Sequence, residues 1–148
     1  MAGSLTNAAE TALLTLVFTN VAWANIGDAS GLQPAGADGS FWVALFTVAP
    51  SDSAAGTECD YTDYARVEVG RTAGWTVAGN NVSNAAAVTF PVAGVTTADV
   101  AVAFGIMTAA VAGDLLFWGD ITDPGAGLTI STGVTPSFAI GALDVNID

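Results

Sequence analysis

Phe41-Trp42-Val43-Ala44-Leu45-Phe46-Thr47 decides the fold class. A seven-residue apolar run cannot be typed by its period alone. Its aromatic and β-branched content, closed off by Gly39 on one side and Pro50 on the other, predicts a buried strand rather than a helical segment. Downstream, Tyr64 to Val69 alternates, with the odd-numbered residues small or apolar and the even-numbered ones polar or amphipathic, as in a second strand. Trp75-Thr76-Val77 and Val82-Ser83-Asn84 flank Ala78-Gly79-Asn80-Asn81, a hairpin with Gly and Asn in its turn. Val88-Thr89-Phe90-Pro91 is a short strand ended by proline. Ala101 to Met107, Leu115 to Trp118, Leu128 to Ile130 and Phe138 to Ile147 follow, separated by turns at Gly113-Asp114 and Asp123-Pro124-Gly125.

Upstream of the deciding run lies one helical segment. Asn7 with Glu10 has the spacing of a capping box, and Leu13, Leu14, Leu16, Val17, Phe18 and Val21 supply a buried stripe that ends near Thr19-Asn20. The glycine-rich stretch from Ala24 to Ser40 reads as a loop, and the acidic stretch 48–63 as a long exposed one. Short strands with turn signals about every ten residues predict a mainly β chain, a β-sandwich or jelly roll with a short N-terminal α-helix. With no linker and no internal repeat, residues 1–148 are expected to form one domain, with 1–24 as a helix or arm and 40–148 as the sandwich.

Composition narrows the function. Of 148 residues, 52% are hydrophobic and 11% charged, well under the roughly 25% charged residues of ordinary soluble domains. A weakly charged surface suits a subunit whose faces meet other subunits. Fourteen carboxylates against two arginines, with no lysine or histidine, give a net charge of −12. That balance disfavours contact with nucleic acid or anionic membranes, so neither is expected as a direct partner. Met1 to Thr6 lacks the basic region of a secretory signal, the run Leu13 to Phe18 is far too short to span a membrane, and a cytosolic folding compartment fits a lone cysteine. Acidic Glu58, Asp60 and Asp63 around Cys59 disfavour its thiolate, which makes it a bystander.

Much chemistry is excluded outright. Without histidine there is no Ser-His-Asp or Cys-His machinery and no histidine-ligated zinc; without lysine there is neither a Schiff base nor a Walker loop. Carboxylates remain. Asp52, Glu58, Asp60, Asp63, Glu68, Asp114, Asp120 and Asp123 are candidates for a paired glycosidase site, though most fall in turns, where Asp is common for backbone reasons. Asp52, Glu58, Asp60 and Asp63, or more weakly the segment Asp120 to Asp123, could hold a structural calcium, but neither has EF-hand spacing; no cofactor is otherwise expected. Trp42, Trp75 and Trp118 read as core, while Trp23 is core or a subunit contact. Arg66 and Arg71 each suit bidentate pairing with a carboxylate, within the chain or across an interface.

The order of Leu5-Thr6-Asn7-Ala8-Ala9-Glu10-Thr11-Ala12-Leu13-Leu14, Trp42 to Thr47, Tyr64 to Val67, Asn84 to Pro91, Phe104 to Ile106 and Leu115 to Gly119 resembles a widespread family of small tailed-phage virion proteins, labelled tail-fibre-like or elsewhere decoration and cement proteins. The resemblance covers nearly the whole chain and implies a β-sandwich subunit without enzymatic activity that acts by association. Combined with the composition, it predicts a cement subunit on the outer capsid surface, made in the host cytoplasm, with the major capsid protein and its own copies, as a trimer, for partners. Leu5, Leu13, Leu14, Trp23, Arg66 and Arg71 are the candidate interface residues, and the N-terminal segment the gripping arm. The alternative is a tail- or head-fibre module that binds a host receptor through Tyr61, Tyr64 or Trp23. A third reading is a carboxylate-dependent glycan hydrolase.

Overall fold

The computed structural model describes residues 5–95, 98–122 and 127–147. The turn expected at Asp123-Pro124-Gly125, and with it Asp123, lies outside them, as do residues 1–4. Strand accounts for 37% of the chain and helix for 9%, which makes it mainly β with one short N-terminal helix, as the spacing predicts. The strands pair antiparallel in several sheets, and the chain gathers into two compact units, each assembled from separated segments.

The first unit takes residues 1–40, 70–86 and 139–148. Its helix α1 (Asn7–Thr19) starts one residue earlier than the Asn7–Glu10 spacing suggests. Thr6 is the N-cap, and its hydroxyl accepts from the Ala9 amide at 3.3 Å. A threonine at this position does the same work as the asparagine expected next to it. Asn20 closes the helix in the left-handed conformation at φ 57. Leu14 and Phe18, four residues apart on one face, are wholly buried, and the Phe18 ring meets Trp75 edge-on at 5.0 Å between centroids. The helix packs on β4 (Trp75–Ala78) and β5 (Asn81–Asn84), the predicted hairpin. Register from Trp75↔Asn84 to Ala78↔Asn81 leaves Gly79-Asn80 as a two-residue turn, with Gly79 at φ +65, the sign such hairpin turns require at their first position.

β12 (Asp144–Asn146) pairs on the other side of β5. Asn84, with 1% of its surface exposed, ties the turn before β12 to the end of β5. Its side-chain amide donates to the carbonyls of Ala86 and Ala139 at 2.7 and 2.8 Å, and its side-chain oxygen accepts from the Leu143 amide at 2.9 Å. One buried side chain thus satisfies three backbone groups that no strand partner reaches.

The second unit takes residues 41–69 and 87–138. Here β1 (Ser40–Val48) carries the deciding run, and Val43 to Phe46 are consecutively buried, the mark of a strand covered on both faces. β1 pairs with β8 (Ala103–Met107) from Trp42↔Met107 to Phe46↔Ala103, and β8 with β9 (Leu115–Asp120). β2 (Thr57–Glu58) and β3 (Val67–Gly70) also pair with β1. Ala44, Phe46, Ala103 and Met107 form a core against which Trp42 and Leu115 pack. Gly105, mid-β8, permits this closeness: a Cβ there would stand 2.6 Å from Leu115 Cδ1 and 2.7 Å from Phe46 Cε2. The ribbons β6 (Val88–Thr89) with β11 (Ser137–Phe138), and β7 (Asp99–Ala101) with β10 (Leu128–Ile130), complete the unit. An aromatic chain runs Tyr61, Tyr64, Phe90, Phe138, Phe104, with neighbouring centroids 5.2 to 6.3 Å apart.

Several expectations need correction. The segment 48–63 is not simply an exposed loop: it contains β2, and Cys59 and Tyr61 are buried at 3% and 2% exposure. The acids surrounding those two residues mask them in a composition reading. The strand expected from Tyr64 begins only at Val67, because Tyr64 and Arg66 converge on Glu58 instead. The run Ala101 to Met107 is two strands interrupted at Val102. Trp118 is 39% exposed rather than core. It follows the alternation of β9, whose even-numbered residues Leu116, Trp118 and Asp120 face outward.

Candidate functional site

Within the second unit the polar side chains converge at Glu58, the last residue of β2. Arg66 grips it with both prongs, Nε to Oε1 at 2.8 Å and Nη2 to Oε2 at 2.7 Å. Arg66 Nη1 donates in addition to the carbonyls of Ala109 and Ala112, at 2.7 and 2.6 Å, in the loop between β8 and β9. The Tyr64 hydroxyl donates to Glu58 Oε1 at 2.7 Å and accepts from the Leu45 amide at 3.0 Å, joining the pair to β1. The Arg66 side chain is 10% exposed and that of Glu58 27%, so this is a largely desolvated pair that a planar guanidinium is shaped to make.

Electrostatics follow from that geometry. Burial pushes the Glu58 carboxyl up, but hydrogen bonds from Arg66 and Tyr64 and the Arg66 charge outweigh it and hold the carboxyl below its ordinary 4.5. The bond to Glu58 raises Arg66. Burial, then the bond to Glu58, drives the Tyr64 hydroxyl far above the usual tyrosine range. Burial, helped by Asp99, Glu58 and Asp60, pushes the Cys59 thiol up to about 12, which keeps it protonated at neutral pH. The carboxylate responsible with Glu58 and Asp60 is Asp99, brought in from β7, rather than the sequence neighbour Asp63.

Because the folded-state pKa of Glu58 lies below its unfolded value, its contribution to stability is complete above pH 4.5 and is lost as pH falls through the folded value. The stability gap between wild type and Glu58→Gln, measured by urea unfolding, is therefore expected to narrow below pH 4.5. A gap that stayed constant through that range would mean the pair does not stabilise the folded state in this way.

A concavity of about 570 Å³ opens beside the pair, walled by Cys59, Asp60, Tyr64 and Ala65 on one side and by Ala110, Val111 and Ala112 on the other. A smaller one, about 280 Å³, is lined by the same two residues together with Phe46, Met107 and Leu115.

The other sequence candidates are dispersed. Arg71 belongs to the first unit, where Nε and Nη2 donate to the Val17 and Leu16 carbonyls at 2.7 and 2.8 Å. It caps the open C-terminal end of α1, where a cation is favoured. Leu14 is fully buried in its own unit and offers no surface to a neighbour; Leu13 and Trp23 are half-buried, and Leu5 is 44% exposed. Trp23 exchanges backbone hydrogen bonds with Leu32. The segment read as an arm thus carries a helix docked in the first unit. Deleting residues 1–20 would strip that unit of Leu14 and Phe18, so the truncation tests folding before it tests binding. Tyr61 is buried and Tyr64 half-buried, so neither is the exposed receptor contact that the fibre reading pictured. The calcium candidates do not assemble: among the described residues no three acidic, Cys or His side chains are placed to hold a metal. Sequence reasoning placed the turn at Gly113-Asp114 but missed the part that Ala109 and Ala112, just before it, play in holding Arg66. An all-apolar Ala109-Ala110-Val111-Ala112, where Gly, Asn, Asp or Ser is usual, was the available signal.

This chain is a phage structural protein. Its residues 4–146 match the family described as podophage GP4 fiber I protein gp80, and the chain belongs to that family. No curated protein matches it. The resemblance to tail-fibre-like virion proteins agrees with the family at that level.

Proposed function

We propose that the chain is a non-enzymatic subunit of a podophage fibre that works by association with other virion proteins. The observation that carries this reading is the family match over residues 4–146, whose description is that of a fibre protein. The site chemistry is in keeping with it: the polar cluster around Glu58 is closed by its own Arg66 and by backbone carbonyls, the arrangement of a structural lock rather than of a poised acid or base. In a fibre, copies of the chain associate as a closed cyclic oligomer, a trimer.

The second reading, a cement subunit on the outer capsid surface bound to the major capsid protein, draws on composition. A chain with 11% charged residues presents broad neutral faces suited to many neighbours in a shell. Copy number separates the two. Quantitative mass spectrometry of purified virions, relative to major capsid protein, is expected to return a few to a few dozen copies per particle. Hundreds of copies in a fixed simple ratio would replace the fibre reading with the cement one, and absence from particles would overturn both.

A further inference from the structure

The loop between β8 and β9 has three properties that do not belong together in an ordinary surface turn. Its tip is apolar and open to solvent, with Ala110, Val111 and Ala112 exposed and Val111 at 84%. Its backbone is strained: Ala112 adopts φ 56, a conformation that costs a side-chain-bearing residue of order 1 kcal/mol and is normally left to glycine. Yet it is held firmly. Arg66 donates to two of its carbonyls from within the Glu58 pair, and at the base Thr108 Oγ1 accepts from the Asp114 amide at 2.8 Å while the Thr108 amide donates to the Asp114 carbonyl at 3.0 Å. One of the protein's two arginines is committed to fixing an apolar projection in place.

We propose that this loop is a preformed docking knob, with Val111 at its tip, that inserts into an apolar socket rimmed by lysine or arginine side chains on another virion protein. Pre-organisation is what the lock supplies, because a knob already in its bound conformation loses little entropy on binding. The concavity of about 570 Å³ alongside lets a partner's rim reach past the knob. Charge selects a partner other than a second copy. The chain carries twelve more acidic than basic side chains, exposed Asp114 flanks the knob, and exposed Asp60 lines the same concavity as Val111. Both arginines are turned inward, Arg66 onto Glu58 and Arg71 onto the helix carbonyls, so another copy of the chain has no basic rim to offer. A cationic rim matches this face.

This inference rests on the chain being a virion component, and the experiment keeps the two apart. Phage carrying Val111→Asp, Val111→Ala or, as a control, Val95→Asp (Val95 is 88% exposed elsewhere in the same unit) are grown, and copies of the chain per purified particle are counted by mass spectrometry. Val111→Asp is expected to lower the count about tenfold or more and Val111→Ala less, with the control within about twofold of wild type. Unfolding curves of the purified variants, expected to coincide with wild type, confirm that the loss is one of binding. Washing wild-type particles in about 1 M NaCl, where charges are screened beyond about 3 Å, is expected to release the protein. Wild-type counts for Val111→Asp overturn the knob, and retention in high salt overturns the basic rim. A wild-type chain that self-associates in size-exclusion chromatography, with Val111→Asp monomeric, makes a second copy the occupant and overturns the heterologous partner. Absence of the wild-type chain from particles sinks the virion reading itself, and this inference with it.

Discussion

Replacing Asn84 with alanine is expected to destabilise the protein by about 2–4 kcal/mol, the cost of stranding buried backbone groups. The side chain serves two carbonyls and one amide, and the three do not count equally. Ala86 and Ala139 are exposed, so water can reach their carbonyls once the asparagine is gone. The Leu143 amide is buried, with Leu143 at 0% exposure, and loses its acceptor outright; most of the cost sits there. Asn84→Asp separates the contributions. It keeps an acceptor for Leu143 but turns an unpaired, buried carboxylate toward the two carbonyls, which repel it. At neutral pH this variant is therefore expected to be at least as unstable as the alanine one. Acid should restore part of the loss, because a protonated carboxyl regains one donor. Urea unfolding with an unchanged slope is the measurement, and an Asn84→Asp protein as stable as wild type at neutral pH would show that donation to the Ala86 and Ala139 carbonyls does not hold the fold.

Arg66→Met is expected to cost about 2–4 kcal/mol, somewhat under the full loss seen on breaking a buried ion pair because Glu58 keeps 27% of its side-chain surface in water. The methionine preserves much of the packed stem, so the deficit reports the guanidinium. Two further readouts distinguish this from a simple packing defect. Without Arg66, burial acts on Glu58 with only Tyr64 to oppose it, and the carboxyl rises above its unfolded value. A group raised on folding favours the folded state below its unfolded pKa and loses that advantage as pH rises, so the deficit of Arg66→Met should shrink on acidification. The double variant Glu58→Gln with Arg66→Met, which leaves no buried charge, should recover part of the stability. If it is no more stable than the single variant, the stranded carboxylate is not the source of the cost.

Local chemistry made some of this architecture legible. The run from Phe41 is a buried strand because bulky aromatic and β-branched side chains at consecutive positions need cover on both faces, and β3 and β8 lie beside it as paired strands. Gly79-Asn80 turns a hairpin because its neighbours alternate and glycine supplies the positive φ. Arg66 was readable as half of a carboxylate pair, but choosing Glu58 over the nearer Glu68 and Asp63 required knowing that β2 and the segment before β3 both lie against β1. The same holds for Asp99 beside Cys59, which lie forty residues apart in sequence. Asn84 looked like the end of a hairpin strand, and nothing local announced that its amide serves residues more than fifty positions away. Long-range polar pairing leaves no periodic trace, whereas burial does.

The inward-turned arginines bear on proteolysis. Trypsin cuts only after lysine or arginine and must draw that side chain, with several residues of extended backbone, into its own specificity pocket. This chain has no lysine, and its arginines are held by a carboxylate and loop carbonyls in one unit and by a helix terminus in the other. Arg66 also leads directly into β3, whose backbone is already paired. Cleavage at either bond by trypsin is therefore expected to wait on the opening of its unit, so the rate at which trypsin degrades this chain should follow how often those units unfold.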